Sequence, residues 1–243
     1  MINNNEKRIG RFTSSQIYRL CGTLKSGLPA ASVQTYIDEV KISRQLGRSV
    51  KTQVKTQPMK WGNLMECVLF DLLGLTYKMN HKIPILHPEF GDYWSGTPDM
   101  VSTKPKVAEN KCYEPLHFGK FSNALLTKDP EYIKANEPEA YWQVISNGMI
   151  LGIYTVELIA FMPYKSELIE IIKMVEETNF LEMNGLDLAD YYFLNEANIE
   201  SLPYLPDDSK FSNINSIEFE IPMKDKDFLM ERMGYAINRL KTT

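Results

Sequence analysis

Two carboxylates and a lysine stand close together in the stretch SGTPDMVSTKPKVAENKCY, which covers residues 95–113. Asp99 follows a proline, and Glu109 and Lys111 lie two residues apart on a segment typical of a β-strand. Side chains alternate between the two faces of a strand, so Glu109 and Lys111 would share one face, roughly 6.5–7 Å apart. A turn at residues 103–105 would fold Asp99 back beside Glu109 as a hairpin neighbour.

This grouping suits phosphate chemistry that depends on a metal ion. Carboxylate oxygens are the ligands that Mg2+ prefers, together with carbonyls, waters and substrate phosphate. A bound metal lowers the pKa of its water and neutralises charge on a phosphate, and a neighbouring lysine can orient that water or stabilise the same charge. The alternative is a solvent-facing hairpin that carries a Glu–Lys pair. The three residues alone leave both interpretations open.

A third carboxylate, Glu66, belongs to a predicted helix over residues 59–73 that Pro58 opens. The apolar side chains of this segment follow the 3.6-residue period, and Glu66 lies away from their stripe. Its helical neighbours are nevertheless small or apolar: Gly62, Leu69, Phe70 and Leu73. Burying a carboxylate there is costly unless a cation meets it. Glu66 is therefore either a further metal ligand or a partly exposed surface residue.

The elements that must position these residues alternate between helices and strands. Periodicity and capping signals predict helices over residues 13–21, 32–46, 59–73, 139–151, 164–180 and 223–240, with short helices in 114–138. Strand signals mark residues 82–86, 97–101, 106–112, 154–162 and 216–221, of which the first three form an antiparallel meander. Residues 48–57 read as a basic connector, and 181–198 as a helical or irregular acidic section. We expect one α/β (α+β) domain, with a central mixed β-sheet flanked by helices.

The charge is unevenly distributed along the chain. The formal net charge of the 243 residues is −4, yet residues 1–60 contain eleven Lys and Arg against three Asp and Glu. Such a segment predicts either a local polyanion-binding face or a solvated charged helix.

Cysteine usage and hydropathy bear on the cellular setting. Cys21, Cys67 and Cys112 are far apart and form no CxxC pair, which favours a reducing, cytoplasmic setting and no structural zinc or disulfide framework. No apolar run is long enough to cross a membrane, and the first residues lack the apolar stretch of a signal peptide.

Five short motifs occur in order along the chain. They are RIGRFTSS at 8–15, KWGNLME at 60–66, GTPDM at 96–100, AENKCY at 108–113 and AYWQV at 140–144. Together they resemble the PD-(D/E)xK nuclease superfamily and, within it, the lambda exonuclease and YqaJ-like viral recombinase group. The resemblance implies a restriction-endonuclease-like core and a single nuclease domain over residues 1–243. Its basic helical part would cover about 1–60, its catalytic core about 61–163 and its C-terminal part about 164–243.

The same resemblance implies roles for individual residues. Asp99 and Glu109 would bind Mg2+, for which Mn2+ could substitute, together with the Asn110 carbonyl, and Glu66 would be a further ligand, directly or through water. Lys111 would position or activate the attacking water, and Gln143 would orient Lys111 or that water. A pocket for the DNA 5′-phosphate would be formed by Arg8, Ser15 and Thr97.

The implied activity is Mg2+-dependent 5′-to-3′ digestion of linear double-stranded DNA, as in phage recombination. Such enzymes suggest a ring-shaped homotrimer and a single-strand annealing protein as partner. A structure- or sequence-specific endonuclease on the same core, or a non-catalytic DNA-binding relative, are the alternatives. The chain departs from the group in having Met100 after the catalytic Asp and a longer connection between Lys111 and Gln143. It also lacks the terminal cysteine cluster of the iron–sulfur nucleases, so we expect no such cluster.

Overall fold

The computed structural model describes residues 7–50, 55–80 and 82–242. The start of the basic N-terminal part and residues 51–54 of the basic connector therefore lie outside the described residues. The described helices are α1 (Ala31–Leu46), α2 (Gln57–Leu73), α3 (Pro115–Leu126), α4 (Pro130–Asn136), α5 (Pro138–Leu151), α6 (Lys165–Glu177), α7 (Phe180–Met183) and α8 (Met223–Lys241). The strands are β1 (Phe12–Thr13), β2 (Tyr77–Met79), β3 (Ile85–Leu86), β4 (Trp94–Gly96), β5 (Met100–Ser102), β6 (Lys106–Lys111), β7 (Thr155–Phe161) and β8 (Ile214–Glu220).

α1, α2 and α5 end at the residues that the sequence predicts, whereas α6 ends three residues before its predicted end at residue 180. Gly47 and Gly152 follow α1 and α5 with φ angles of 63° and 67°, in the left-handed region that glycine adopts most readily. Prolines open α2, α3, α4 and α5 in their first turn, where the missing N–H costs nothing. The predicted N-terminal helix is a 3-10 helix, Ser14–Leu20. The acidic section after α7 contains two further 3-10 helices, Leu188–Tyr191 and Glu196–Ser201.

A five-stranded sheet in the order β2-β5-β6-β7-β8 forms the centre of the fold. β6 and β7 pair in parallel, and the other neighbours pair antiparallel, so the sheet is mixed. The parallel pair requires a crossover, which α3, α4 and α5 provide between the two strands. The expected α/β fold with a central mixed sheet flanked by helices is confirmed.

Each face of β6 is covered by a different hydrophobic cluster. Val107 belongs to the cluster built with α1, α3, α5 and α8, whereas Ala108 belongs to the cluster built with α2, α6 and α7. Because side chains alternate along a strand, Glu109 and Lys111 face α5 and Asn110 faces α2. The candidate residues on β6, Glu109 and Lys111, thus belong to a strand that lies between two packed layers of helices.

The predicted antiparallel meander is wrong in its first half. β3 covers only the end of the predicted strand 82–86, and it pairs with β4 in a separate three-stranded sheet in the order β1-β4-β3. Residues 97–99 are not a strand, because there the chain crosses from β4 in the small sheet to β5 in the central one. The hairpin of β5 and β6 around residues 103–105 is confirmed, and β2, which the sequence reading missed, pairs with β5.

No helix among the described residues is long and apolar enough to cross a membrane.

Candidate active site

Glu109 is the buried centre of the site. Its side chain lies at the middle strand of the sheet and is 1% exposed. Lys111 Nζ lies 3.1 Å from Glu109 Oε1 and 3.0 Å from Gln143 Oε1, and Gln143 Nε2 donates a hydrogen bond to Glu109 Oε1. Asn147 Nδ2 donates to Glu109 Oε2 at 3.0 Å. Both carboxylate oxygens are therefore held by donors of the protein.

Asp99 joins this group to the opposite layer of the fold. Its Oδ2 accepts a hydrogen bond of 3.0 Å from the backbone N–H of Asn110, which fixes the carboxylate against β6. Glu66 on α2 lies close enough to Asp99 to act on its ionisation through charge and a side-chain hydrogen bond, and Asp99 acts on Glu109 in the same way. Glu66, Asp99, Glu109, Lys111 and Gln143 are thus brought together as one contiguous group, although they come from two helices, one loop and one strand.

The charges of this group perturb one another. Burial and the neighbouring Glu66 raise the pKa of Asp99 well above its ordinary value. Burial and the charge of Asp99 raise the pKa of Glu109 to about 8, although Lys111 acts in the opposite direction. Burial alone would lower the pKa of Lys111, but Glu109, Tyr113 and Asp99 raise it above the ordinary value for lysine. Lys111 is therefore protonated at neutral pH.

The donor set fits a hard divalent cation in its chemistry. Carboxylates crowded into a buried site repel one another, and a cation with oxygen ligands would offset that repulsion. Within the part of the chain that the structure describes, no three Asp, Glu, His or Cys side chains are grouped as ready ligands of one ion. The carboxylate of Glu109 accepts hydrogen bonds from Gln143 and Asn147 of α5. A ligand role for the Asn110 carbonyl stays a prediction.

The three residues predicted to bind a 5′-phosphate line one cavity with the carboxylates. This cavity of about 180 Å³ is bounded by Arg8, Ser15 and Thr97 together with Glu66, Asp99 and Gln143, and the hydroxyl-bearing residues Thr13 and Ser14 add to its wall. Burial lowers the pKa of Arg8. The wall of this cavity therefore contains an arginine, several hydroxyls and carboxylates.

Close packing at Gly96 holds the chain just before Asp99. A Cβ atom at this position would lie 2.3 Å from Asn147 Oδ1 and 2.4 Å from Ser14 Oγ. Next to it, Ser146 Oγ lies 2.8 Å from Ser14 Oγ and 2.9 Å from Trp94 Nε1. These contacts lock β4 and the N-terminal 3-10 helix onto α5, and they explain the glycine in the GTPDM motif.

Two residues of the site were missed by the sequence reading. Asn147 follows Gln143 by four residues on α5, and this spacing places the two on one helix face. That signal could have revealed Asn147. Lys82 lies 4.0 Å from Glu66 Oε2 and donates to Asn63 Oδ1 at 2.7 Å. No local pattern marks it, because its contacts come from α2.

Several basic side chains of the N-terminal part form ion pairs or hydrogen bonds within the protein itself. Arg19 pairs with both oxygens of Glu39, and Arg44 donates to the carbonyls of Gly10 and Asp92. Lys55 and Lys60 pair with Asp190 in the acidic section. A polyanion-binding face remains a prediction that rests on Arg8 and on the other basic residues of this part.

Comparison with known proteins gives the fold a context. No protein-family model matches the sequence, and no curated protein matches it. Solved structures do match: LHK-Exo in complex with dAMP has a TM-score of 0.63 at 15% identity, covering 98% of this chain and 91% of the other. The alkaline exonuclease LHK-Exo from Laribacter hongkongensis has a TM-score of 0.62 at 15% identity with the same coverage. A phage-related exonuclease from Haemophilus somnus 129PT has a TM-score of 0.59 at 13% identity, covering 95% of this chain and 93% of the other. This chain therefore has the fold of these exonucleases.

Proposed function

We propose that this protein is a Mg2+-dependent exonuclease that digests linear double-stranded DNA from the 5′ end. The observation that carries the proposal is the contiguous group of Glu66, Asp99, Glu109, Lys111 and Gln143 beside the cavity of Arg8, Ser15 and Thr97. The fold shared with exonucleases supports it, since function must be argued from the site and the fold raises the expectation.

Mg2+ is the proposed cofactor, with Mn2+ as a substitute, and Asp99, Glu109, Glu66 and the Asn110 carbonyl are its proposed ligands. Bound in this site, Mg2+ would supply an acidified water and neutralise charge on the phosphate. The backbone N–H of Asn110 donates a hydrogen bond to Asp99, and this bond already holds the Asp99 carboxylate against strand β6.

Lys111 acts in this proposal as a fixed positive charge. Glu109, Tyr113 and Asp99 raise its pKa, so the ammonium is protonated in the site as described, and we assign it the role of a hydrogen-bond donor. It can donate hydrogen bonds to the attacking water or to the phosphate as negative charge develops. Gln143 accepts from Lys111 and donates to Glu109, and it therefore fixes the direction in which the ammonium points.

The proposed 5′-to-3′ direction is supported by the cavity that contains the candidate phosphate-binding residues. Arginine binds phosphate through a planar pair of N–H donors, and hydroxyls complete the grip on a terminal phosphate. Because Arg8, Ser15 and Thr97 share a cavity with Glu66 and Asp99, a 5′-phosphate held there would leave the next phosphodiester near the carboxylates. Cleavage at that bond releases one nucleotide from the 5′ end.

The proposal extends to assembly. A ring-shaped homotrimer would keep DNA threaded during digestion, and a single-strand annealing protein would receive the exposed 3′ strand. Light scattering of the purified protein measures the first, and a trimer mass is the expected result. Co-purification with a candidate annealing protein measures the second.

The decisive experiment uses linear duplexes labelled at each end, with and without 5′-phosphate, in Mg2+ and in chelator. We expect loss of the 5′-terminal label as mononucleotides, faster with 5′-phosphate, and no reaction in chelator. Asp99→Ala and Lys111→Ala should abolish hydrolysis while the protein remains folded.

Closed circular DNA separates the alternatives. Cutting of circles at rates comparable to linear DNA would replace the proposal by an endonuclease on the same core. Binding of DNA without hydrolysis in Mg2+ or Mn2+ would replace it by a non-catalytic DNA-binding protein. Full activity in Asp99→Ala would refute the site assignment.

A further inference from the structure

Two cavities meet at the carboxylate group. The smaller one contains the phosphate pocket, and the larger one, of about 400 Å³, extends past Met79 to the segment Glu182–Leu186. Four residues line both cavities: Glu66, Lys82, Thr97 and Asp99. A DNA strand that passes from one cavity into the other would have to cross these four residues, and three of them already have a proposed role.

Lys82 is held at this junction by an unusual backbone conformation. Its φ angle is 58°, and it is one of two non-glycine residues with positive φ among those described. This left-handed conformation is unfavourable for a residue with a Cβ atom, and such residues cluster at functional sites. The segment around it is tied to the site, because the Asn80 N–H donates to the Asp99 carbonyl at 3.1 Å and Asn80 Nδ2 donates to the Ile83 carbonyl at 2.8 Å.

The ammonium of Lys82 retains capacity to bind a ligand. It donates one hydrogen bond to Asn63 Oδ1 at 2.7 Å, and Glu66 Oε2 is 4.0 Å away, beyond hydrogen-bond distance. An ammonium has three donors, and 54% of the Lys82 side chain is exposed. Lys82 can therefore contact a phosphate without giving up its hydrogen bond to Asn63.

The wall of the larger cavity is rich in carboxylates, so a DNA phosphate could be bound there only with the help of a cation. Its wall contains the carboxylates Glu66, Asp99 and Glu182, which repel a phosphodiester. Among the described residues that line this cavity, Lys82 is the one cation. Among the described residues that line the smaller cavity, Arg8 and Lys82 are the two cations. Lys82 thus lines both cavities, whereas Arg8 lines the smaller one and not the larger one.

We propose that Lys82 binds the DNA phosphate that follows the scissile one, where the carboxylate group borders the larger cavity. This inference rests on the proposed function and adds a substrate contact to it. Arg8 would hold the terminal 5′-phosphate, the scissile phosphate would lie at the Mg2+ that the carboxylates are proposed to bind, and Lys82 would hold the strand that continues into the larger cavity. The alternative is that Lys82 only offsets the charge of Glu66.

The test measures DNA binding without hydrolysis, in Ca2+ in place of Mg2+, with a gel to show that the duplex stays intact. Lys82→Gln removes the charge, Lys82→Arg keeps it, and Lys82→Gly removes it while favouring the left-handed backbone. Lys173→Gln on α6 is the control, since Lys173 is exposed and pairs with Glu170. Each protein is titrated with a 5′-phosphorylated duplex over a range of salt concentrations.

A phosphate contact has a signature in the salt dependence of binding. The slope of log Kobs against log salt should become shallower by about 0.9 in Lys82→Gln and Lys82→Gly, and it should be unchanged in Lys82→Arg and Lys173→Gln. A duplex with a neutral methylphosphonate at the phosphate after the scissile one should bind wild type about tenfold more weakly, as expected for one lost charged contact. The same methylphosphonate should leave the affinity of Lys82→Gln unchanged.

Two results overturn different claims. If wild type digests linear DNA but Lys82→Gln keeps the wild-type slope and the full methylphosphonate effect, the assignment of Lys82 is wrong and the proposed function stands. If wild type hydrolyses no DNA in Mg2+ or Mn2+, the proposed exonuclease function is wrong.

Discussion

Replacing Glu109 by glutamine keeps the shape of the side chain but removes an ionisable group that the fold buries. The Glu109 side chain is 1% exposed, and burial together with the charge of Asp99 raises its pKa from 4.5 to about 8. Because the folded protein binds this proton more tightly than the unfolded chain does, the free energy of unfolding is highest below pH 4.5 and falls as pH rises toward 8. We therefore expect Glu109→Gln to be more stable than wild type at neutral pH.

The size of the effect follows from the same two pKa values. Each pH unit between them changes the free energy of unfolding by about 1.4 kcal/mol, so the raised pKa of Glu109 costs about 3 kcal/mol at pH 7, where the folded protein still holds the proton that the unfolded chain has released. The new amide can be accommodated, because its oxygen can accept from Lys111 and Gln143. Its nitrogen can donate to Asn147 Oδ1, which is buried without a partner in the described contacts, once the Asn147 amide flips.

The assay is urea unfolding in chelator at several pH values from 5 to 8. Glu109 should contribute about 3 kcal/mol to the stability that wild type loses between pH 5 and pH 8, and Asp99 should add to this loss; Glu109→Gln should therefore lose about 3 kcal/mol less than wild type over this range. The same variant should hydrolyse DNA at least about 100-fold more slowly, because an amide is a weak ligand for Mg2+.

A second buried glutamate provides the control. Glu157 on β7 pairs with Lys106 Nζ at 2.7 Å and accepts from Tyr77 Oη at 2.5 Å. Glu157→Gln should lower the free energy of unfolding by about 1–3 kcal/mol, because Lys106 loses a charged partner. Its effect on DNA hydrolysis should be small. The reasoning on Glu109 would be refuted if Glu109→Gln unfolded more easily than wild type at pH 7, or if wild-type stability did not change between pH 5 and 8.

Three further predictions test other parts of the site. Arg8→Gln should slow digestion of 5′-phosphorylated duplex about 10- to 100-fold, because the variant loses its contact with the terminal phosphate. The rate of digestion of 5′-hydroxyl duplex should change little. Paired time courses on the two substrates measure both rates. Gly96→Ala should lower the free energy of unfolding by about 1–3 kcal/mol in urea titrations, because the added methyl would lie 2.3 Å from Asn147 Oδ1. Asn147→Ala should lower the free energy of unfolding by about 1 kcal/mol and slow DNA hydrolysis about tenfold, because Glu109 Oε2 loses its hydrogen-bond donor. The exposed substitution Lys173→Gln should change neither quantity when both are measured in the same urea titrations and time courses.

Local signals predicted the helices of this protein and part of the site. α1 and α5 end at glycines, α2 begins at a proline, and their apolar periods are regular, so their bounds could be read from the sequence. The hairpin of β5 and β6 has the turn residues of a short connection. Glu109 and Lys111 could therefore be placed on one strand face without any knowledge of the rest of the chain.

Contacts between distant segments could not be read in this way. β2 and β3 have three and two residues, too few for an alternation to be recognised, and their partners are chosen by the packing of the whole sheet. The assignment of β4 to the small sheet depends on β1, which is about eighty residues earlier in the chain. Lys82 was missed for the same reason, since its role depends on where α2 places Asn63 and Glu66.

The burial of Glu109 explains why so many polar residues gather on α5. A carboxylate on the middle strand, covered by helices on both faces, has little access to water, so its hydrogen bonds must come from the protein. Lys111 supplies one from the same strand, and Gln143 and Asn147 supply two from successive turns of α5. These donors hold the carboxylate but do not remove its repulsion with Asp99, because its pKa stays raised in their presence. A bound cation would offset that repulsion, and without one the carboxyl group relieves it by keeping its proton at neutral pH.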